Sequence, residues 1–152
     1  MRGVLESTDD LLFTDAKDIP SETLFTFFRY ITASKEYDEN YQQKWYSAVD
    51  NKFHVPVAEV TDIVNKYFDG INFDATKVIG YDPETNYITA DILSGFGGTH
   101  FPKLANKEKI FDDTLRLTVD FYDPEYKIVY YTKVYIIRLT DAGYQYLSIT
   151  KP

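Results

Sequence analysis

The sequence lacks cysteine, and it has only two histidines. The absence of cysteine excludes disulfide scaffolds, thiolate metal sites and thiol nucleophiles together. No His-Glu-x-x-His motif occurs either, so nothing in the sequence points to a catalytic metal site. We therefore predict no metal ion and no cofactor.

Positive charge is also scarce. Lysine and arginine number 16 against 24 acidic residues, which gives a formal net charge of −8. An acidic surface repels the phosphate backbone of nucleic acids. We therefore predict a protein that does not bind DNA or RNA.

Long apolar runs are missing as well. No run approaches the ~20 apolar residues that a bilayer-spanning helix needs, and no basic-then-apolar leader opens the sequence. We expect no membrane span in this chain.

Aromatic residues, in contrast, are abundant. The 14 tyrosines and 11 phenylalanines in 152 residues indicate a folded chain with a single core.

The clearest pattern of secondary structure lies in the last third of the sequence. Apolar and polar residues alternate over 114–121, which is typical of a strand with one buried face. Two further runs rich in β-branched and aromatic residues, 127–139 and 144–150, follow turns around Pro124 and Gly143. Short turns between such runs predict a three-stranded antiparallel meander.

Helical periodicity comes earlier in the sequence. Apolar residues at i, i+3, i+4 and i+7 predict a helix over 21–33, and a similar stripe predicts a second helix that begins at Pro56 and ends at Asp69-Gly70. Between them, residues 34–51 carry large side chains at four-residue steps, which predicts a third helical stripe. These side chains are Tyr37, Tyr41, Trp45 and Val49.

The middle of the sequence is rich in turn residues. A second hairpin is predicted around 82–86 (Asp-Pro-Glu-Thr-Asn), with arms over 77–81 and 87–93. Residues 94–100 contain three glycines and are predicted to form a flexible loop. Residues 101–112 are predicted to be a longer connection into the meander.

Helices that precede antiparallel strands are typical of the α+β class. We predict N-terminal helices packed on one face of a four- or five-stranded antiparallel sheet. This single α+β domain covers residues 19–152. Residues 1–18 are predicted to be a partly ordered acidic lead-in, docked to the domain through Leu11-Leu12-Phe13.

Five segments carry a resemblance to known proteins: 56–60 (Pro-Val-Ala-Glu-Val), 67–69 (Tyr-Phe-Asp), 81–87 (Tyr-Asp-Pro-Glu-Thr-Asn-Tyr), 95–98 (Gly-Phe-Gly-Gly) and 143–149 (Gly-Tyr-Gln-Tyr-Leu-Ser-Ile). Together they resemble uncharacterised extracytoplasmic, lipoprotein-type domains of Gram-positive bacteria, which have cystatin-like or NTF2-like folds. The resemblance implies such a fold, an extracytoplasmic location and a partner that is a protein or another component of the cell envelope. It leaves room for lipid anchoring through a segment that is not part of this sequence, and it implies no particular chemistry.

The candidate binding residues come from the glycine loop and the second meander strand. The loop could present backbone N–H groups to an anion or act as a contact surface with Phe96 at its tip. His100 can exchange a proton near neutral pH, but the sequence names no partner for it, whereas we expect His54 to be structural. Tyrosines of the second meander strand combine apolar area with a hydroxyl and suit an interface. The candidate binding residues are Gly95, Phe96, Gly97, Gly98, His100, Tyr131 and Tyr135, and no residue is assigned a catalytic or metal-binding role.

These features favour a non-catalytic extracytoplasmic interaction module that uses the outer aromatic face of its sheet. The alternative is a small-molecule pocket between sheet and helices, with or without enzymatic activity, in the manner of NTF2-like folds. A third interpretation is a structural spacer within a larger envelope protein. The sequence leaves the oligomeric state open.

Overall fold

The computed structural model describes residues 11–34, 36–92 and 100–152. Within these residues it contains two α-helices, α1 (Ser21–Ala33) and α2 (Val57–Tyr67), and eight strands in two antiparallel sheets. The predicted α+β class is confirmed. The predicted number of four or five antiparallel strands fits each sheet, but the prediction of a single sheet is wrong, because the first four strands form a sheet of their own. Three short 3-10 helices span Ala16–Asp18, Tyr41–Trp45 and Ala75–Lys77.

The smaller sheet is built from four short strands: β1 (Tyr46–Ser47), β2 (Lys52–Pro56), β3 (Tyr81–Asp82) and β4 (Tyr87–Ala90). They are ordered β1-β2-β4-β3. The predicted hairpin around 82–86 is confirmed, but its first arm contains only two strand residues. Just before this arm, the backbone at Gly80 closely approaches the backbone of β4. A Cβ on Gly80 would lie 2.2 Å from the carbonyl oxygen of Thr89. Only glycine fits this approach.

The larger sheet is built from β5 (Phe101–Phe111), β6 (Thr114–Tyr122), β7 (Val129–Thr140) and β8 (Gly143–Thr150), which pair in that order. The last three strands are the predicted meander, which is confirmed. Leu117, Val119 and Phe121 on β6 are buried, as the alternating pattern requires. The predicted connection over 101–112 is wrong, because β5 is a strand. Its residues are largely exposed on both faces, so they lack the apolar alternation of a half-buried strand.

Both predicted helices are confirmed, with differences at the ends of the second. Pro56 has φ −60° and ψ 135°, so it precedes α2 instead of occupying the first helical position. The helix ends at Tyr67, two residues before the predicted Asp69-Gly70 stop, because Phe68 is extended and forms a parallel bridge with Tyr146 of β8. Within the described ranges, no helix is long and apolar enough to cross a membrane.

The predicted helical stripe over 34–51 is wrong. The described residues of this stretch form turns, a 3-10 helix and β1, and Val49 is 98% exposed in the turn after β1. The three aromatic rings of the stripe nevertheless contact one another. The ring centroid of Tyr41 lies 4.6 Å from that of Tyr37 and 5.5 Å from that of Trp45.

Aromatic rings join the helices to the larger sheet in the core. The ring centroid of Phe68 lies 4.8 Å from that of Phe27 on α1, 5.6 Å from that of Tyr146 on β8, and 5.7 Å from that of Phe13. Leu11 and Phe13 are both buried. The segment before α1 therefore contributes to the same core as the helices and β8.

Candidate functional site: the open edge of the larger sheet

The two edges of the larger sheet differ. At the β8 edge, the N–H of Phe13 donates a hydrogen bond to the carbonyl oxygen of Ile149 at 2.8 Å, and the N–H of Ile149 donates to that of Phe13 at 2.9 Å. At the other end, β5 pairs only with β6 among the described residues. One edge is therefore covered by the chain itself, and we call the other, β5, the open edge.

The open edge is long and exposed. β5 has 11 residues, which is at the upper end of usual strand lengths. Every residue from Lys103 to Phe111 is exposed, including Leu104 at 48% and Phe111 at 69%. Irregularities interrupt the pairing with β6 on either side of Asn106–Lys109, which keeps a regular register. An edge of this kind offers backbone N–H and C=O groups to a further strand.

Exposed and half-buried apolar side chains lie together where β5 begins and the β6–β7 turn ends. The ring centroid of Tyr126 lies 5.5 Å from that of Phe101 and 6.1 Å from that of Tyr122. Ile128 is 58% exposed and Tyr130 is 54% exposed. Exposed apolar side chains that lie together mark interaction sites more often than isolated ones do. We call this group the aromatic end; it consists of Phe101, Tyr122, Tyr126, Ile128, Val129 and Tyr130.

Asp123 organises the turn that carries the aromatic end. Its Oδ1 accepts hydrogen bonds from the N–H groups of Lys127 at 2.7 Å and Ile128 at 2.9 Å. Its carbonyl oxygen accepts a third from the N–H of Tyr126 at 3.0 Å. Tyr126 has a φ of 58°, a region that non-glycine residues rarely adopt. The turn therefore holds Tyr126 in a defined position beside Phe101.

Charged groups near the open edge are exposed. Nζ of Lys103 lies 6.0 Å from the ring centroid of Tyr122. Nε of Arg116 on β6 lies 3.9 Å from Oε2 of Glu108 on β5, and both side chains are about half exposed. Such exposed pairs contribute little to stability, so these charges remain available to a partner.

The structure brings only some of the predicted site residues together. The ring centroid of His100 lies 5.2 Å from that of Tyr130 and 5.3 Å from that of Tyr131, so His100 adjoins the aromatic end. Tyr131 itself is half-buried and stacks on Phe121 at 4.7 Å. The predicted Gly95, Phe96, Gly97 and Gly98 lie outside the described residues.

Tyr135 does not lie on an exposed face, so its predicted place on a binding surface is wrong. It is fully buried, and its ring centroid lies 6.0 Å from that of Tyr146. Alternation along β7 explains the burial, because Tyr135 pairs across the sheet with the buried Leu117 and Ile149 and shares their face.

Several tyrosine hydroxyls lie between α2 and β8. The hydroxyl of Tyr67 donates to that of Tyr37 at 3.3 Å. The hydroxyls of Tyr144 and Tyr146 are buried and adjoin each other, but neither forms a hydrogen bond of good geometry in the described part of the chain. Burial raises the pKa of Tyr67, Tyr144 and Tyr146 well above the ordinary value, because it penalises the phenolate. These phenols are protonated at neutral pH and do not act as bases there.

A Thr-His-Asp arrangement lies on the smaller sheet. Nε2 of His54 lies 2.7 Å from Oδ2 of Asp50, and Nδ1 lies 3.2 Å from Oγ1 of Thr89. These residue types occur together in nucleophilic catalysis. Here, however, His54 and Thr89 lie on the face opposite to the buried Val55 and Ile88, away from the core. The contacts tie the β1–β2 turn to β4, and we assign them a structural role.

A small cleft lies between α1 and the smaller sheet. It is lined mainly by apolar residues, among them Phe28, Trp45 and Val55, and its free volume is about 10 Å³. That is room for about one water molecule, whereas small-molecule sites have volumes of roughly 300–1,000 Å³. His100 does not line it. Within the described ranges, no group of three or more His, Asp or Glu is placed to hold a metal ion.

β5 and most of the aromatic end were not predicted from the sequence. A signal was present, because 103–111 contains no glycine or proline and loops of about 12 residues without structure of their own are uncommon. Ile128 and Tyr130 fall in the run 127–139, whose composition predicts a strand but not which of its side chains are exposed. Their exposure depends on how far the sheet extends beyond its buried part, which the sequence does not encode locally.

Comparison with known proteins adds no functional assignment. No protein-family model matches the chain, and no significant match was found among curated proteins or solved structures.

Proposed function

We propose that this protein is a non-catalytic interaction module that binds a protein partner through the open edge and the aromatic end. The observation that carries the proposal is the difference between the two edges of the larger sheet. Phe13 covers the β8 edge with two backbone hydrogen bonds, whereas β5 is exposed over nine consecutive residues, Lys103 to Phe111. Folded proteins usually shorten or cover such an edge, or protect it with lysines and bulges. β5 has lysines and two irregularities, but it keeps a regular, uncovered register over Asn106–Lys109.

The aromatic end supports the same proposal. Its side chains are large and apolar, and Tyr126 is held in place by the hydrogen bonds of Asp123. Tyrosine side chains on an ordered turn bury much area at a low cost in conformational entropy when a partner binds. The aromatic end also borders the start of β5 through Phe101, so one partner can contact both.

The pocket alternative has weaker support. The cleft beside Phe28 is too small for a substrate, and it lies apart from His100. We therefore favour the interaction module over the small-molecule pocket.

We also propose, from the sequence resemblance, an extracytoplasmic location and a cystatin-like or NTF2-like fold with the helices on one face of the larger sheet. The α+β class and the antiparallel meander support the fold proposal, and the resemblance alone supports the location. An experimental structure that places α1 and α2 on opposite faces of the larger sheet would contradict the proposed fold. Fractionation of the native host that finds the protein in the cytoplasm would contradict the proposed location.

The experiment for the main proposal compares two tyrosine variants. Tyr126→Ser/Tyr130→Ser removes aromatic area from the proposed surface. Tyr87→Ser is the control, because Tyr87 is also exposed but lies on β4 of the smaller sheet. The immobilised proteins are incubated with an envelope extract of the native host, and bound proteins are quantified by mass spectrometry.

We expect a protein that is captured by the unmodified chain and by the Tyr87 variant, and whose binding falls about tenfold, a loss of ~1.4 kcal/mol, in the double variant. Circular dichroism must show all three proteins folded. Equal capture by the double variant and the control would contradict the proposal.

A further inference from the structure

The open edge carries three lysines in an acidic protein. Lys103, Lys107 and Lys109 lie within seven residues that contain one acidic residue, Glu108, whereas the whole chain has a net charge of −8. Screening by salt limits the reach of a charge to roughly 8–10 Å under physiological conditions. The acids nearest to β5 are Asp120, which lies opposite Lys103, and Asp112 and Asp113, which form the turn after the strand. A group that docks on Asn106–Lys109 therefore meets Lys107 and Lys109 at closer range than most of the acidic surface.

Two of the lysines share one face of the sheet. Lys107 pairs across the strands with Leu117, and Lys109 pairs with Leu115, so their side chains lie on the same face as those leucines. Leu104 lies on this face too, opposite Val119. The face therefore presents an apolar side chain followed by two ammonium groups.

These ammonium groups have little internal compensation. Lys107 forms no ion pair within the described residues, and Nζ of Lys109 lies 3.7 Å from an oxygen of Asp112, whose side chain is fully exposed. On the facing strand, β6, the residues of this face from Leu115 to Phe121 are all apolar. A carboxylate supplied from outside would meet no competing acid across the sheet.

We propose that β5 accepts an extended peptide segment of a partner protein as a fifth strand, and that this segment carries carboxylates at alternate positions. The proposal rests on the function proposed above and specifies the partner's chemistry. Backbone hydrogen bonds to the open edge supply affinity, and side chains at alternate positions supply specificity. Residues i and i+2 of a strand lie ~6.6 Å apart on one face, which lets two carboxylates face Lys107 and Lys109 along the regular Asn106–Lys109 segment.

A second copy of this chain is a less suitable occupant. Each copy carries a net charge of −8, which opposes self-association. Antiparallel self-pairing centred on Glu108 would also place Lys107 of each copy opposite Lys109 of the other, and like charges directly opposite each other are destabilising. Edge lysines disfavour pairing with apolar strands, whereas they favour pairing with an acidic strand. The lysines therefore discriminate an acidic partner strand from an apolar one.

The test uses synthetic peptides as the probe. The first is a fluorescent octapeptide that alternates valine and glutamate; the second replaces every glutamate with lysine; the third is the acidic peptide with N-methyl groups on alternate residues, which removes backbone donors. Binding to the full chain is followed by fluorescence anisotropy, and its location by amide hydrogen exchange. Sedimentation velocity establishes whether the free protein is monomeric.

We expect the acidic peptide alone to bind, to weaken with added salt, and to slow amide exchange in Asn106–Lys109. Lys107→Glu/Lys109→Glu should weaken this binding at least tenfold. Lys77→Glu/Lys151→Glu, which changes the net charge equally at two exposed sites elsewhere, should leave it within about twofold of the original, a difference below ~0.5 kcal/mol.

Equal binding of the acidic and basic peptides, equal losses in the two charge variants, or undiminished binding of the N-methylated peptide would overturn the inference. So would a dimer whose formation depends on β5. The proposed function has a separate readout: loss of captured partner in Tyr126→Ser/Tyr130→Ser without any binding of the acidic peptide would retain the interaction module and reject the acidic fifth strand.

Discussion

Phe13 and Ile149 exchange two backbone hydrogen bonds, at 2.8 and 2.9 Å, and so extend the larger sheet by one short bridge beyond β8. The ring of Phe13 is buried and meets that of Phe68 edge-to-face at 5.7 Å. The cover on this edge is therefore fixed by both backbone and side chain. No comparable cover lies on β5 among the described residues.

The first prediction concerns this cover. Phe13→Ala removes a buried ring, and we expect it to lower the free energy of unfolding by about 3–5 kcal/mol. The control is Leu12→Ala, because Leu12 is adjacent and exposed and should change that free energy by no more than about 0.5 kcal/mol. Urea denaturation followed by tryptophan fluorescence measures both. Similar values for the two variants would show that residues 11–13 are not anchored as described.

The second prediction compares two buried tyrosines. The hydroxyl of Tyr146 adjoins that of Tyr144 but forms no well-aligned hydrogen bond in the described residues, so Tyr146→Phe removes a poorly satisfied polar group and should leave stability unchanged or raise it by up to about 1 kcal/mol. Tyr67→Phe instead removes the hydrogen bond to Tyr37 and should cost about 0.5–1.5 kcal/mol. Chemical denaturation of both variants checks the order. A larger loss for Tyr146→Phe than for Tyr67→Phe would contradict it.

The third prediction concerns alkaline pH. Burial raises the folded-state pKa of Tyr144 and Tyr146 above the ordinary value of 10.0. Above that value the unfolded chain releases protons that the folded chain retains, so the stability these groups provide is complete below pH 10 and is lost as the pH rises further. Unfolding free energies measured on both sides of pH 10 should show this decline.

The matched variant for this prediction is Tyr144→Phe/Tyr146→Phe. It lacks both phenols, and we expect its stability to decline less steeply above pH 10 than that of the unmodified chain. An ultraviolet titration in which every tyrosine of the folded protein ionises at the ordinary pKa would contradict the burial of these groups.

The elements that sequence patterns predicted well are those with one buried face. Alternation along β6 and the helical spacing of Leu24, Phe27, Phe28 and Ile31 both arise because one side of the element meets the core. β5 lacks such a side. Its strand conformation comes from pairing with β6, a long-range interaction that leaves no periodic trace in the local sequence.

The stretch around Trp45 shows a different limit. Four-residue spacing from Tyr37 to Val49 matches a helical stripe, but Asn51 adopts a φ of 58°, as hairpin turns before a strand often require. Pairing of Tyr46 with Phe53 then outweighs the helical pattern.

For the candidate site, His100 and the turn at Asp123 could be identified from the sequence, whereas the open edge and the burial of Tyr135 depend on the sheet order.

Amide hydrogen exchange across the larger sheet tests the difference between its two edges most directly. In a dilute sample that sedimentation shows to be monomeric, we expect the amide of Ile149, bonded to Phe13, to exchange slowly. Alternate amides of Asn106–Lys109 should exchange at rates close to those of an unstructured peptide, because they point away from β6. Slow exchange at every amide of β5 would mean that this edge is already covered, and would contradict the proposed site.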